Sequence, residues 1–202
     1  MAKKKFKGKY RIESHRLKGW DYSSEGLYYI TIVTQHRECN LGRIENKQMI
    51  LSDFGKIVND EWYKSFEIRD ELFLDEYVII PNHIHAIIEL KKMGADGGAD
   101  GGADGRRGER PFASTSRNTP HIPHRLPQSI SSFIAGFKSA VNSKIDDYID
   151  EHHLNIPKYN RNNHFFQPNY HDHIIRDQRS HYNIKNYIRK NPDNWKGDRF
   201  NF

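Results

Sequence analysis

Cysteine and long apolar runs are the features that this 202-residue sequence has least of. Cys39 is the only cysteine, which excludes a disulfide framework and a cysteine-rich zinc site and fits a reducing cytoplasm. No apolar run approaches the roughly 20 residues of a membrane span. No apolar stretch follows the basic N-terminus either, so a secretory signal is not expected. Aromatic residues make up 12% of the chain, too many for a disordered protein, and we expect a single globular domain without a membrane partner.

Positive charge is concentrated at both ends of the chain. Residues 1–18 hold eight Lys and Arg against one Glu, a net charge of +7, whereas the whole chain carries +6. Residues 176–202 hold seven Lys and Arg against three Asp, a net charge of +4. Clustered positive charge indicates a phosphate-backbone partner, because neutralising phosphates releases counterions. A solvated, disordered tail is the alternative for residues 1–9.

A low-complexity segment divides the chain near its middle. Residues 94–105 read GADG three times and contain six of the 14 glycines, which is typical of a flexible linker. The next 20 residues contain three prolines and show no periodicity. We interpret 92–126 as a disordered insertion in one domain, 19–202, which follows a basic N-terminal extension, 1–18.

The rest of the sequence predicts an α+β fold. Apolar and β-branched patterns predict strands at Leu27–Gln35, Gln48–Leu51, Glu76–Ile80 and His83–Leu90, and an extended segment at Phe165–Ile175. Helical spacing predicts a helix capped by Ser52 and running to about Phe66, a second beginning at Pro127, and a third at about 178–190 that ends at Asn191-Pro192. Because strands and helices do not alternate strictly, we expect an antiparallel sheet with helices packed on it.

The first chemical feature is His83-Ile84-His85, on a predicted strand. Residues two apart on a strand project from the same face, so both imidazoles can converge on one point. Two such histidines provide half of a metal site. The alternative is a pair of histidines that form ordinary hydrogen bonds at a strand end.

Two motifs extend this observation. The stretch YVIIPNHIHAII and the later YHDHIIRD…YIRKNP together resemble the single-tyrosine HUH (His-hydrophobic-His) transposases, in particular the REP-associated tyrosine transposases. The resemblance covers 27–90 and 127–195. It implies a ferredoxin-like domain, metal-dependent DNA cleavage and joining, and a nucleophilic tyrosine on the last helix. It also implies a bacterial cytoplasmic, nucleoid-associated protein, and it leaves open whether the protein is a monomer or a homodimer.

The family pattern places the nucleophile just before Asn-Pro, which selects Tyr187. Asn191 lies four residues later, on the same helical face, and is a candidate third ligand beside His83 and His85 for Mg²⁺ or Mn²⁺. The alternatives are an ordinary core aromatic for Tyr187 and a helix C-cap for Asn191.

Further candidates lie near this constellation. His173 and Arg176 recur in the family pattern as His-x-x-Arg, so His173 is a possible active-site neighbour and Arg176 a possible DNA contact, with a structural role as the alternative. His171 and His173 form a second His-x-His pair, a rival metal site. Trp195 is a candidate for stacking on an unpaired base. The predicted DNA-binding residues are Lys3, Lys4, Lys5, Lys7, Lys9, Arg11 and Arg176.

The expected function is metal-dependent cleavage and strand transfer of single-stranded DNA through a 5′-phosphotyrosine, at hairpin or REP-like sequences. Two alternatives stay open. One is a domesticated, inactive protein that binds DNA hairpins, and the other is a hydrolase that uses metal-bound water. The 92–126 insertion separates the histidine pair from the tyrosine helix, so the tyrosine can serve its own chain or a partner chain.

Overall fold

The structure is a computed structural model that describes residues 17, 19–91, 128–160 and 162–198. Six of the predicted DNA-binding residues, Lys3 through Arg11, lie outside these described residues, as does 92–126. Within the described part of the chain, no helix is both long and apolar enough to cross a membrane.

The predicted α+β fold is confirmed. The elements are β1 (Gly26–Val33), β2 (Gly42–Glu45), β3 (Gln48–Leu51), α1 (Asp53–Glu67), β4 (Leu72–Ile80), β5 (His83–Leu90), α2 (Ile130–Glu151), β6 (His171–Ile175) and α3 (Gln178–Asn194), with single 3-10 turns at Gln35–Arg37 and Trp195–Gly197. Four strands form an antiparallel sheet in the order β4-β5-β1-β6. With α1 and α2 as the crossover connections, this strand order is the ferredoxin-like arrangement. Strands β2 and β3 form a separate hairpin.

Helices α1 and α2 cover one face of the sheet and form the main core. Trp62 of α1 is fully buried and meets the rings of Phe133 and Phe137 of α2 edge-on, with centroids 5.4 and 5.0 Å apart. The apolar residues Phe133, Phe137, Val141 and Ile145 of α2 are buried. Burial of these large apolar side chains stabilises the fold by about 1.5–3 kcal/mol each.

Helix α3 covers the opposite face, beside His83 and His85. Asp177 caps it by accepting a hydrogen bond from the Ser180 N–H. The predicted end at Asn191-Pro192 was wrong, because the helix continues through Pro192 to Asn194. The hydrogen bond that proline removes falls in the last turn, directly after the buried Asn191.

The sequence prediction also differed from the structure at other element boundaries. Strand β2 was not predicted, since its four residues alternate between partly buried and exposed and include no long apolar run. Helix α2 begins at Ile130, after the Ser129 cap, rather than at Pro127. Of the predicted extended segment, only His171–Ile175 pairs in the sheet, while Phe166 forms a single bridge to Thr34.

Gly55 provides a test of how closely α1 packs against the backbone at Leu41. A methyl group added there would lie 2.0 Å from the Leu41 carbonyl oxygen, and the Leu41 N–H donates to the Pro81 carbonyl in the turn before His83. We expect Gly55→Ala to lower the free energy of unfolding by about 1–3 kcal/mol, because the backbone must shift.

Gly136→Ala in α2 is the matched control. Its new methyl has only Arg69 Nη2 nearby, at 3.8 Å, and better helix propensity should stabilise the fold by up to about 1 kcal/mol. Urea unfolding measures both, and equal effects would contradict the close contact.

Candidate metal and nucleophile site

The two histidines of β5 lie where the sheet meets the turn that precedes it. His83 and His85 are both fully buried, and their Nε2 atoms are 3.0 Å apart. Ile84 between them projects to the opposite face and joins the main core. The central position of β5 between β4 and β1 therefore holds both imidazoles on a rigid backbone.

Hydrogen bonds set the orientation and tautomer of His83. The Asn82 side-chain NH₂ donates to the Arg37 carbonyl at 3.1 Å, which directs its Oδ1 toward His83 Nδ1 at 2.7 Å. Because that oxygen can only accept, the His83 Nδ1 carries the proton and donates it. The lone pair is therefore on Nε2, the atom that faces His85. Such outer hydrogen bonds commonly orient metal-binding histidines.

Two residues of β1, which sequence reasoning missed, support His85. The hydroxyls of Tyr29 and Thr31 both lie 2.8 Å from His85 Nδ1. Thr31 pairs directly with His85 across the strands, so their side chains share a face. No local signal in the sequence marks Tyr29 or Thr31, since they look like ordinary residues of an apolar strand.

Tyr187 of α3 reaches the same point within a single chain. Its hydroxyl lies 3.3 Å from His85 Nε2, and the two rings are 5.3 Å apart. The side chain is 42% exposed, so it is not the core aromatic that was the alternative interpretation. Its neighbour Ile188 is the fully buried residue, packed with Ile87 and Ile175.

Asp198, which was not predicted, completes the cluster. Its Oδ2 accepts hydrogen bonds from the Tyr187 hydroxyl at 3.0 Å and from the Asn191 side-chain NH₂ at 3.1 Å. Asn191 is 2% exposed, and its Oδ1 has no hydrogen-bond partner among the described residues. Because α3 continues to Asn194, Asn191 is not a helix C-cap.

The donor atoms of this cluster fit a divalent cation. Ligand atoms of His83, His85 and Asp198 all lie within 4.8 Å of one another. Two ligands on adjacent corners of an octahedron with bonds of roughly 2.1 Å lie about 3.0 Å apart, which is the observed Nε2–Nε2 separation. Asn191, whose NH₂ contacts Asp198, also has a buried amide oxygen without a partner among the described residues, which is an oxygen donor of the kind that Mg²⁺ and Mn²⁺ prefer.

The other predicted residues lie across β1 from this cluster. His171 and His173 pair with Thr31 and Tyr29, so they share the face of His85 but sit on the edge strand β6. Within the described ranges, the only convergent group of three or more His, Cys, Asp or Glu is the one at His83, so the rival pair gains no third ligand of these types there. Arg176 is exposed and lies over the Trp20 ring at 5.9 Å.

Ion pairs attach α3 to the edge strand β4. Asp75 accepts hydrogen bonds from His181 and Lys185, both at 2.6 Å, and Arg189 binds Glu76 at 2.5 Å. The strand register shifts between Leu74 and Glu76, and this bulge lets two consecutive acidic residues reach the same helix. Burial alone would raise the pKa of Asp75, but the hydrogen bonds and charges of Lys185 and His181 outweigh it and lower that pKa below its ordinary value.

Asp75→Asn is expected to destabilise the protein by about 1–2 kcal/mol at pH 7, since two charge-assisted hydrogen bonds are weakened. The pKa of Asp75 is lower in the folded chain, so its ion pairs stabilise the fold above about pH 4, and this stabilisation is lost as pH falls through the folded-state pKa. Urea unfolding between pH 7 and pH 3 should therefore show the difference between the two proteins shrinking toward acid. Asp147→Asn, which breaks the exposed pair with Lys144, should change little. A difference that is constant with pH would contradict the role of the carboxylate.

Comparison with known proteins gives partial matches. No family model matches the chain. An uncharacterized protein of Haemophilus influenzae is 43% identical over 83 residues, which are 41% of this chain and 46% of that protein, so less than half of the relative is covered. Among solved structures, the chain is similar to a REP-associated tyrosine transposase bound to a REP hairpin, with 15% identity, 93% of this chain and 73% of that chain covered, and a TM-score of 0.47. It is also similar to a candidate transposase from Deinococcus radiodurans, with 14% identity, 87% and 95% covered, and a TM-score of 0.39. These likenesses are too distant to carry an argument about activity.

Proposed function

We propose that the chain is a metal-dependent enzyme that cleaves single-stranded DNA and transfers the strand through a 5′-phosphotyrosine at Tyr187, as a transposase does. One observation carries the proposal. The hydroxyl of Tyr187, a half-exposed residue, lies 3.3 Å from one of two buried imidazole nitrogens that face each other at 3.0 Å. A phenol, two imidazoles and a carboxylate in one place suit nucleophilic attack at a phosphodiester better than they suit a packed core.

His83 and His85 would hold a divalent ion, Mg²⁺ or Mn²⁺, with an oxygen of Asn191 or Asp198 as a further ligand. The ion, when bound, supplies positive charge that stabilises the negative charge developing on the scissile phosphate. The chain's own residues do the rest of the positioning. Asn82 keeps the lone pair of His83 Nε2 directed into the site, and Asp198 orients the Tyr187 hydroxyl by accepting its hydrogen bond.

Cleavage exchanges one phosphodiester for another. The Tyr187 oxygen forms a bond to phosphorus, and the bond from phosphorus to the 3′-oxygen of the upstream nucleotide breaks. The phenol loses its proton, for which the Asp198 carboxylate is in position, and the released 3′-oxygen gains one. The phosphotyrosine keeps the energy of the broken linkage, so attack by another 3′-OH rejoins the strand without ATP.

The proposed partner is single-stranded or hairpin DNA, in the cytoplasm of a bacterium. Residues 1–18 carry a net charge of +7 and residues 176–202 carry +4, which favours a polyphosphate ligand. Lys3, Lys4, Lys5, Lys7, Lys9, Arg11 and Arg176 remain the proposed DNA contacts. His173 is proposed as a neighbour of the bound strand, on the same face of the sheet as His85.

A covalent-capture experiment tests the function. The full chain is incubated with hairpin oligonucleotides that carry a randomised single-stranded flank and a 3′ label, in Mg²⁺, in Mn²⁺ or in EDTA. We expect labelled DNA that migrates with the protein in SDS when either metal is present and not in EDTA. Binding without an adduct would support the inactive hairpin-binding protein, and free 5′-phosphate products without an adduct would support the hydrolase.

A further inference from the structure

A cleft of about 820 Å³ lies next to the metal and nucleophile site. One wall is the β2–β3 hairpin, with Ile44 and Lys47, and the other is the end of α3 and the turn after it, with Pro192, Trp195 and Lys196. A volume of this size is typical of sites that bind a small molecule or one unit of a polymer.

Trp195 joins the cleft to the site. Its ring lies 6.0 Å from the His83 ring, centroid to centroid, with a tilt of 38° between them. Three residues later, Asp198 contacts the Tyr187 hydroxyl. The turn at 195–197 thus begins with Trp195, which lines the cleft. It leads directly to Asp198, which contacts the Tyr187 hydroxyl. A strand whose phosphate lies at Tyr187 would place an adjacent nucleotide at Trp195.

The lining of the cleft has the chemistry that binds a nucleotide. Trp195, Ile44 and Pro192 offer apolar surface for a base, and Lys47 and Lys196 offer two ammonium groups for a phosphate, while Asp193 is the acidic residue in the lining. Lys47 sits at the hairpin tip with φ of 63°, beside Asn46 with φ of 48°, as a tight two-residue turn requires. Aromatic and basic side chains in one groove are the usual combination for unpaired nucleic acid.

We propose that this cleft binds the nucleotide adjacent to the scissile phosphate, with its base stacked on Trp195 and its phosphate held by Lys47 and Lys196. This inference rests on the proposed function, and it adds a binding site that is separate from the residues of the chemical step. The hairpin β2–β3 then acts as part of the DNA-binding surface rather than as a simple connection.

Two fluorescent probes separate base contacts from phosphate contacts. One is a single-stranded (dT)20, and the other is a 20-mer of abasic residues with the same phosphates. We expect Trp195→Ala to weaken binding of (dT)20 by about 5- to 150-fold, the range for loss of one stacked base, and to leave the abasic probe unchanged. The double variant Lys47→Ala/Lys196→Ala should weaken both probes and reduce the slope of log affinity against log salt by roughly 0.7 for each phosphate that is no longer neutralised.

Matched controls keep the test decisive. Tyr63→Ala and Lys64→Ala alter exposed residues of α1, on the opposite face of the sheet, and should change neither probe. Trp195→Phe keeps a stacking ring and should retain most of the affinity for (dT)20, which a mere folding defect in Trp195→Ala would not explain.

Either proposal can fail without the other. If Trp195→Ala binds (dT)20 as the wild type does, or weakens both probes equally, the cleft does not hold a base. That result would leave covalent capture by the wild type unaffected. If instead the wild type forms no adduct but Trp195→Ala selectively loses affinity for (dT)20, the proposed nucleotide-binding cleft is supported and the proposed cleavage activity is contradicted.

Discussion

Tyr187→Phe is expected to abolish covalent capture of DNA, by three orders of magnitude or more, roughly the loss seen when an enzyme's nucleophile is removed. The substitution deletes one oxygen atom, which lies 3.3 Å from His85 Nε2 and 3.0 Å from Asp198 Oδ2. The ring is 42% exposed and remains in place, so the fold should persist. Affinity for single-stranded DNA should stay within about twofold, since a single exposed hydroxyl contributes little to a contact dominated by phosphates.

Tyr182→Phe is the control for this variant. Tyr182 lies on the same helix and is 67% exposed, and its position five residues before Tyr187 puts it on another face of that helix. Its hydroxyl should be dispensable, and its adduct yield should equal that of the wild type. An adduct that survives in Tyr187→Phe, mapped by mass spectrometry to another tyrosine, would show that the nucleophile was misassigned.

His83→Ala and His85→Ala are expected to remove both cleavage and the stabilisation of the protein by metal. The wild type should melt at a higher temperature in Mn²⁺ than in EDTA, because a ligand that binds only the folded state stabilises it, by about 2.7 kcal/mol at 100 times its Kd. Both imidazoles are fully buried, so each variant is also expected to lose intrinsic stability. The informative quantity is therefore the shift between EDTA and Mn²⁺ within each protein, which should vanish in both variants.

His173→Ala provides the comparison for the histidine variants. It removes an imidazole from the same face of the sheet, on the edge strand, where it is exposed. Its melting temperature should still rise in Mn²⁺ by the wild-type amount. If the wild type shows no metal-dependent shift, or if the shift survives in His83→Ala, the pair does not hold the ion.

Short-range patterns allowed the strand that carries His83 and His85 to be predicted closely. Strand β5 has the predicted bounds, His83–Leu90, and Ser52 caps α1 as predicted. Both signals are local, since alternation along a strand and a cap before a helix depend on a few neighbouring residues. Tyr187 and His85 are 102 residues apart in sequence. The prediction that they converge came from a family resemblance, because no pattern in the intervening chain indicates it.

Tertiary contacts account for what the sequence did not reveal. Asp198 looks like a solvated residue in a basic tail, and only its position beside Asn191 and Tyr187 gives it a place in the cluster. Tyr29 reaches His85 from a strand 56 residues earlier. The extent of α3 was misjudged for a related reason, because the rule that proline ends a helix takes no account of tertiary burial at Asn191.

Different kinds of contact hold the helices on the two faces of this sheet. Helices α1 and α2 are held by the large apolar core around Trp62, whereas α3 rests on a small cluster at Ile87 and on its charged contacts with β4. Salt screens the more exposed pair of Arg189 with Glu76 more than the partly buried pairs of Asp75, and it leaves hydrocarbon contacts largely intact. The side that carries the Tyr187 phenol therefore buries much less apolar surface than the other, and we expect α3 to detach from the sheet at a lower free-energy cost than α1 or α2.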